Sequence, residues 1–290
     1  MCLFSQFFDI INSSRQKNKI VNRQTTEEEV MSTYSYEGME REYTLYRPSN
    51  LKENSPLVVF LHWYTGSAKE IIDIIGFNDI ADKYGFAVLY PEGLLDKYGN
   101  KHWNSGLQLS EVDDIGFITA LIKSLQEKYI LDKHNTFVTG ISNGGFMTYS
   151  LALHKPELFN AFVPVIGTMS GKDWVERTFK NPVPILHICG MDDEVVPFDG
   201  TGSLEDGWGG APSVDVIIEY WAKLSKCNSP IENHLTENST LIKYPNGVND
   251  NEVWLLKIKN HGHEFPTKGA DIDGGELLWE FFSKYIVKSE

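Results

Sequence analysis

The sequence predicts an α/β fold with a mostly parallel central sheet and helices on both faces of that sheet. Short, continuous apolar runs, typical of strands covered on both faces, recur along the chain. Segments with helical periodicity separate these runs, so that predicted strands and helices alternate. The chain has 290 residues and is 41% hydrophobic, which is enough for one domain with a large core.

The predicted strands start with an alternating edge strand that Pro48 ends, and the later ones are apolar throughout. The strands are Arg41–Pro48, Pro56–His62, Phe86–Gly93, Thr136–Val138, Ala161–Gly167, Pro184–Gly190 and Val253–Lys259. The predicted helices are Phe77–Gly85, Asp113–Tyr129, a helix that ends near His154, Ser213–Cys227 and Glu276–Ile286. Between them, residues 97–108 are predicted to form a loop.

Two regions of different composition divide the chain. The start of the chain is apolar like a signal peptide, but Asp9 interrupts it, and it lacks a basic start and a clear cleavage site. The polar residues 14–31 follow. We therefore predict a flexible tail or remnant leader at residues 1–32 and a single catalytic domain at residues 33–290.

Charge and cysteine content exclude several functions. The net charge is −14 and the pI about 5, with no run of lysine and arginine, so we expect neither nucleic acid nor an anionic membrane surface as a partner. No apolar run reaches the length of a membrane span. The cysteines (Cys2, Cys189 and Cys227) form neither a disulfide framework nor a metal motif, so we predict no metal and no cofactor. The oligomeric state stays open.

The segment Asn135–Ser150 contains a Gly-x-Ser-x-Gly motif around Ser142, between a predicted strand and a predicted helix. This arrangement is typical of a nucleophile elbow, in which the turn is too tight for a Cβ at the glycine positions. Ser142 would then stand at the carboxyl end of the sheet and at the N-terminus of the helix, where negative charge is favoured. The motif alone is equally compatible with an ordinary glycine-rich turn.

An acid and a histidine follow the next strands in the order that such a nucleophile requires. The loop after Pro184–Gly190 contains four acids (Asp192, Asp193, Glu194 and Asp199), and the loop after Val253–Lys259 contains His261 and His263. Each residue alone fits an ordinary solvated loop. Together, the order serine, acid, histidine favours a Ser-His-Asp triad on an α/β-hydrolase fold.

The oxyanion hole of such a site needs two backbone amides. We assign the first to Asn143, directly after the nucleophile. The second should come from the loop after Pro56–His62, with the amide of Tyr64 preferred over that of Trp63. We expect Trp103 and Phe265 to bind substrate, and Trp208 is an aromatic candidate that fits structural packing equally well.

With these landmarks the chain resembles the polyhydroxybutyrate depolymerase-like and feruloyl esterase-like branch of the α/β-hydrolases, over about residues 35–285. The landmarks are PLVVFLH, GFNDIADKYGFAVLYPEG, HWNSG, VDDIGFITALIKSL, TGISNGGFM, CGMDDEVVPFDG, SVDVIIEYWAKLSKC and GHEFP. The resemblance places the nucleophile on Ser142, the acid on Asp193 and the histidine on His263. It implies an extracellular or periplasmic esterase, whereas the lack of a clear signal peptide in the sequence leaves a cytoplasmic location open.

The chain departs from this family at three positions. Trp63 follows His62 where the family usually has glycine, and this puts the assignment of the second oxyanion donor in question. Phe265 stands where tryptophan is common. Cys227 matches a family cysteine but has no suitable partner near residues 241–244, so we predict a free thiol.

The sequence thus predicts a serine ester hydrolase that works through an acyl-enzyme. Its substrate would be a small-molecule or polymeric ester: a feruloyl or acetyl ester of the plant cell wall, a polyhydroxyalkanoate or a short-chain ester. One alternative is a carbohydrate- or polymer-binding protein that has kept the fold and lost turnover, which Trp63 favours. A serine peptidase is a further alternative, but we find no added domain to hold a peptide.

Overall fold

The computed structural model describes residues 29–177, 181–201, 210–267 and 269–288. The strands are β1 (Glu29–Tyr36), β2 (Met39–Tyr46), β3 (Leu57–Leu61), β4 (Ala87–Pro91), β5 (Leu94–Leu95), β6 (Lys101–His102), β7 (Thr136–Ile141), β8 (Ala161–Val165), β9 (Ile185–Gly190), β10 (Ile231–His234), β11 (Ser239–Tyr244) and β12 (Val253–Ile258). The helices are α1 (Ala68–Ile75), α2 (Phe77–Tyr84), α3 (Asp114–Tyr129), α4 (Asn143–His154), α5 (Gly171–Glu176), α6 (Val214–Leu224) and α7 (Gly274–Ser283), with a 3₁₀ turn at Val248–Asp250.

Within these residues, ten strands form one sheet in the order β1-β2-β4-β3-β7-β8-β9-β12-β11-β10. The six strands from β4 to β12 are parallel, and antiparallel strands extend the sheet at both ends. The strands β5 and β6 pair separately as a short hairpin. The carboxyl ends of the parallel strands meet at one edge of the sheet, which is where α/β enzymes place their sites.

Helices cover both faces, as predicted, because alternate residues of the buried strands point to opposite sides. In β3, Leu57, Val59 and Leu61 join one core with α3, α4 and α6. Val58 and Phe60 join the other core with α1, α2 and α7. The two cores hold the sheet between them, so the loops at its carboxyl edge start from a rigid base.

The predicted elements lie close to the observed ones, with several differences. The strand β1 starts at Glu29, before the predicted start of the domain at residue 33, and it pairs with the strand that was predicted to be an edge. The helix α1, the short helix α5 and the outer strands β10 and β11 were not predicted. The predicted loop 97–108 contains β6. Residues 1–28 of the predicted tail, and Trp208, lie outside the described residues.

The described part of the chain bears on two predictions, one about membrane-spanning segments and one about the free thiol of Cys227. None of its helices is long and apolar enough to cross a membrane. Cys189 and Cys227 are both free thiols, which confirms the prediction for Cys227.

Candidate active site

The turn after β7 holds Ser142 in a strained backbone conformation, with φ 55° and ψ −116°. Positive φ is uncommon outside glycine, and such strain is concentrated at functional sites. The neighbouring glycines are required by close packing. A Cβ added at Gly140 would lie 2.3 Å from the carbonyl oxygen of Gly144, and one at Gly144 would lie 2.4 Å from that of Leu61. The motif therefore folds as the sharp strand-to-helix turn that the sequence predicted.

The structure brings Ser142, His263 and Asp193 together. The distance from the Oγ of Ser142 to the Nε2 of His263 is 2.9 Å, and the Nδ1 of His263 lies 2.7 Å from the Oδ2 of Asp193. Because a carboxylate only accepts, the Nδ1 atom carries the proton, and Nε2 is left to accept from the serine hydroxyl. The side chains are recessed: Ser142 is 1% exposed and the side chain of His263 10%.

Asp193 is distinguished from the other acids of its loop by burial and by its hydrogen bonds. Its second oxygen, Oδ1, accepts the backbone N–H groups of Val195 and Val196, both at 2.8 Å. The carboxylate is thereby fixed with Oδ2 directed at His263. The other acids of the loop, which are all exposed, are Asp192, Glu194 and Asp199.

The acid loop and the histidine loop are joined through their backbones. The amide of Asp192 donates to the carbonyl oxygen of His261 at 3.0 Å. At the end of β9, a Cβ on Gly190 would lie 2.2 Å from that same carbonyl oxygen, so only glycine fits there. The ring of His261 donates through Nε2 to the carbonyl oxygen of Glu264. The backbone bond between Asp192 and His261 thus ties the loop that carries His263 to the loop that carries Asp193.

Asn143 begins α4, and its backbone N–H belongs to the first turn, where helical amides have no partner within the helix. Its side chain is fixed by the backbone of Trp103: Oδ1 accepts from the amide N–H at 2.7 Å, and Nδ2 donates to the carbonyl oxygen at 3.0 Å. The start of the helix is thus held in place. The role of the Asn143 amide as an oxyanion donor stays a prediction.

Trp103 and Phe265, which were predicted to bind substrate, are both buried in the structure. Trp103 is fully buried, and its Nε1 donates to the carbonyl oxygen of His62 at 3.0 Å. Phe265 is 8% exposed and packs in the core against Phe60, with ring centroids 6.2 Å apart. Packing of the loops thus encloses Trp103 fully and Phe265 almost fully in this structure, and their role in substrate binding stays a prediction.

His62, directly after β3, makes contacts beside the site that the sequence analysis did not predict. Its Nε2 accepts the backbone N–H of Gly93 at 2.9 Å, and its Nδ1–H donates to the carbonyl oxygen of Trp63 at 2.7 Å. Burial lowers the pKa of His62 to about 4, so the ring is neutral near pH 7. Its position directly after a buried strand is the sequence feature that could have marked His62 as a residue near the site.

Two buried histidines should make the protein less stable in acid. Burial lowers the pKa of His62 to about 4 and that of His187 to about 3, below the ordinary value of about 6.5. Between about pH 6.5 and 4 the unfolded chain binds protons that the folded chain does not. Each histidine should therefore lower the free energy of unfolding by on the order of 1 kcal/mol per pH unit as the pH falls.

Urea unfolding at pH 7 and pH 5 checks this expectation. The His187→Gln variant should lose less stability between the two pH values than the parent protein does. His134, which is exposed, supplies the matched control, because His134→Gln should keep the pH dependence of the parent. Equal losses in the parent and in His187→Gln would contradict the assignment.

One group of side chains in the described residues could hold a metal ion, and it consists of His154, Asp173 and Glu176. His154 is the last residue of α4, whereas Ser142 precedes the first. His154 is thus the twelfth residue after Ser142, which along a helix is a distance of about 18 Å. The group lies too far from Ser142 to take part in chemistry there.

The strand order, the elbow after β7, and the acid and histidine after β9 and β12 are those of the α/β-hydrolase fold, as predicted. An acetyl xylan esterase from Aspergillus awamori shares this fold. The two structures match with a TM-score of 0.65 at 17% sequence identity, over 88% of this chain and 99% of that one.

Residues 41–179 match the family described as Esterase PHB depolymerase, which confirms the resemblance seen in the sequence. The chain is 25% identical to the bifunctional acetylxylan esterase/xylanase XynS20E of Neocallimastix patriciarum, over 87% of this chain and 34% of that protein. It is 32% identical to "Probable feruloyl esterase C" of Aspergillus niger, over 55% of this chain and 57% of that protein. The chain thus spans between about a third and somewhat over half of the length of these curated relatives.

Proposed function

We propose that the protein is a serine carboxylic-ester hydrolase that acts through an acyl-enzyme at Ser142. The observation that carries the proposal is the hydrogen-bonded relay from Ser142 through His263 to Asp193, with distances of 2.9 and 2.7 Å, on a strained elbow. A nucleophile, a base in contact with it and an acid that orients the base are the parts that such chemistry needs.

In the first half of the reaction, Oγ of Ser142 attacks the ester carbonyl while Nε2 of His263 takes the hydroxyl proton. Asp193 holds the imidazole in the required tautomer and stabilises its positive charge. The tetrahedral oxyanion accepts hydrogen bonds from the backbone amides of Asn143 and Tyr64, with the Trp63 amide as the alternative donor.

His263 then donates its proton to the leaving alcohol, and the ester bond breaks to give acyl-Ser142. Water attacks the acyl group while His263 takes a proton from it. The second tetrahedral intermediate collapses, the proton returns to Ser142, and the free acid leaves.

The proposed substrates are acetyl or feruloyl esters of the cell wall, polyhydroxyalkanoate-type esters or short-chain esters. The names of the two esterase relatives support the first group. The recessed position of Ser142 favours small acyl groups, because Oγ is reached only by a group that enters the site. The resemblance to the feruloyl esterase-like and polyhydroxybutyrate depolymerase-like enzymes also supports an extracellular or periplasmic location.

A panel of esters tests this proposal: p-nitrophenyl acetate and butyrate, methyl ferulate, acetylated xylan and a polyhydroxybutyrate film. We expect the soluble esters of short acyl groups to be hydrolysed faster than the film. Hydrolysis of the film alone would contradict the proposed preference. No turnover of any ester would favour the polymer-binding alternative, for which the partly buried Trp63 in the oxyanion loop is the supporting observation.

A further inference from the structure

The loop that follows β3 carries the proposed oxyanion donors of residues 63 and 64, and it is held by the β5–β6 hairpin. The backbone N–H of Thr65 donates to the carbonyl oxygen of Lys101 in β6 at 2.8 Å. Thr65 has a φ of 67°, which is a strained conformation for a β-branched residue. Such a conformation persists only where its surroundings impose it. The hairpin is one source of that restraint.

The side chain of Tyr64 makes a second link to the same hairpin. Its hydroxyl donates to Oδ2 of Asp96 at 2.7 Å and accepts from Nδ2 of Asn100 at 2.9 Å. Tyr64 is 5% exposed and Asp96 7%. Because both residues are buried, this link is shielded from competition by water.

Asp96 is itself fixed by the turn that joins β5 and β6. Its other oxygen, Oδ1, accepts the backbone N–H groups of Tyr98 at 2.8 Å and Asn100 at 2.9 Å. Burial opposes ionisation of Asp96, but the hydrogen bonds from Asn100 and Tyr64 outweigh it and hold the pKa of the carboxyl below its usual range. The Tyr64 hydroxyl is therefore bonded to a carboxylate, and such charge-assisted bonds are the stronger kind.

We propose that Asp96 is a positioning residue for the oxyanion hole and acts through the side chain of Tyr64. The proposal rests on the proposed function, with the Tyr64 amide as an oxyanion donor. One end of Tyr64 is fixed at the hydroxyl by Asp96 and Asn100, and the following residue is fixed at its amide by Lys101. These restraints act on both sides of the Tyr64 backbone, so we expect them to limit rotation of the peptide that carries the proposed donor N–H.

Loss of the link between Tyr64 and Asp96 should weaken stabilisation of the transition state and leave binding of the ester unchanged. An oxyanion exists in the tetrahedral state and not in the bound ester, so a misplaced donor lowers kcat and leaves KM nearly unchanged. Loss of a whole oxyanion donor costs about 10²–10³-fold in kcat. For a donor that is displaced but still present, we expect about 10–100-fold.

The test compares three substitutions with the parent enzyme. Tyr64→Phe and Asp96→Ala each remove the link, whereas Asp96→Asn keeps an oxygen for the two amides and a group that can bond the Tyr64 hydroxyl. We measure kcat and KM on p-nitrophenyl acetate, with active sites counted by a fluorophosphonate. The inhibition constant of a trifluoromethyl ketone, which forms an oxyanion on the serine, supplies an independent measure of the hole.

Tyr46→Phe is the matched control. The hydroxyl of Tyr46 donates to Oδ1 of Asp82 at 2.6 Å, so the same type of bond is lost. Tyr46 pairs with Val88, near the start of β4 and away from the carboxyl edge of the sheet. This variant should keep the kcat, the KM and the ketone affinity of the parent.

We expect Tyr64→Phe and Asp96→Ala to lose about 10–100-fold in kcat and equally in ketone affinity, with KM within about threefold. Asp96→Asn should recover most of both. The proposal would be overturned if Tyr64→Phe and Asp96→Ala had the same kcat and ketone affinity as Tyr46→Phe. It would also be overturned if their lower kcat were explained by fewer active sites, with each remaining site binding the ketone as the parent does. If Asp96→Ala does not fold, Tyr64→Phe decides. Failure of the parent enzyme to turn over any ester would instead refute the proposed function.

Discussion

Replacing Ser142 with alanine is expected to lower kcat/KM for p-nitrophenyl acetate by about 10⁴-fold or more. The hydroxyl is the atom that forms the bond to the acyl group, and its Oγ lies 2.9 Å from Nε2 of His263. The remaining rate should come only from the oxyanion donors and from substrate binding. Steady-state kinetics on purified protein supplies the measurement.

The same variant should stay folded, because the substitution removes one oxygen atom. Ser283→Ala, at an exposed serine in the last turn of α7, is the matched control and should retain the activity of the parent. Thermal unfolding of both variants separates lost chemistry from lost structure. Activity of Ser142→Ala within a few-fold of the parent, in a folded protein, would refute the nucleophile.

Replacing Asp193 with asparagine is expected to lower kcat by about 10³–10⁴-fold. An amide at this position can donate to Nδ1 of His263 and so stabilise the tautomer that carries its proton on Nε2. In that tautomer Nε2 can no longer accept the proton of Ser142. The geometry should be preserved, because the asparagine oxygen can still accept from the amides of Val195 and Val196.

Asp192→Asn provides the comparison, since Asp192 is the adjacent acid, is exposed and carries the same charge. We expect it to keep kcat within about threefold, as exposed charges contribute little. Equal losses in the two variants would mean that general electrostatics and not the contact with His263 sets the rate. An Asp193→Asn enzyme with nearly normal kcat would exclude the assigned role.

The sequence identified the parts of the site that local chemistry dictates. Gly140 and Gly144 are needed wherever a strand turns this sharply into a helix, so they point to Ser142. The apolar runs dictate a covered parallel sheet, and the sheet brings the ends of β7, β9 and β12 to one edge. Their order pointed to an acid after β9 and a histidine after β12, and the family resemblance then singled out Asp193 and His263.

Local sequence patterns did not predict contacts between distant segments of the chain. The bond from Tyr64 to Asp96 joins residues 32 positions apart, and nothing in either local sequence specifies it. Trp103 was assigned to substrate because aromatic residues often line sites, but packing against His62 buries it. The outer strand β10 is exposed at most positions, so it lacks the apolar run that revealed the central strands.

Labelling with a fluorophosphonate, followed by mass spectrometry of the peptides, is the most direct test of Ser142 as the nucleophile, because the reagent reacts preferentially with an activated serine. We expect one added phosphonyl group, located on Ser142, in the parent protein. We expect no labelling of Ser142→Ala and much slower labelling of Asp193→Asn. A folded parent protein that stays unlabelled, or that is labelled at another serine, would contradict this assignment.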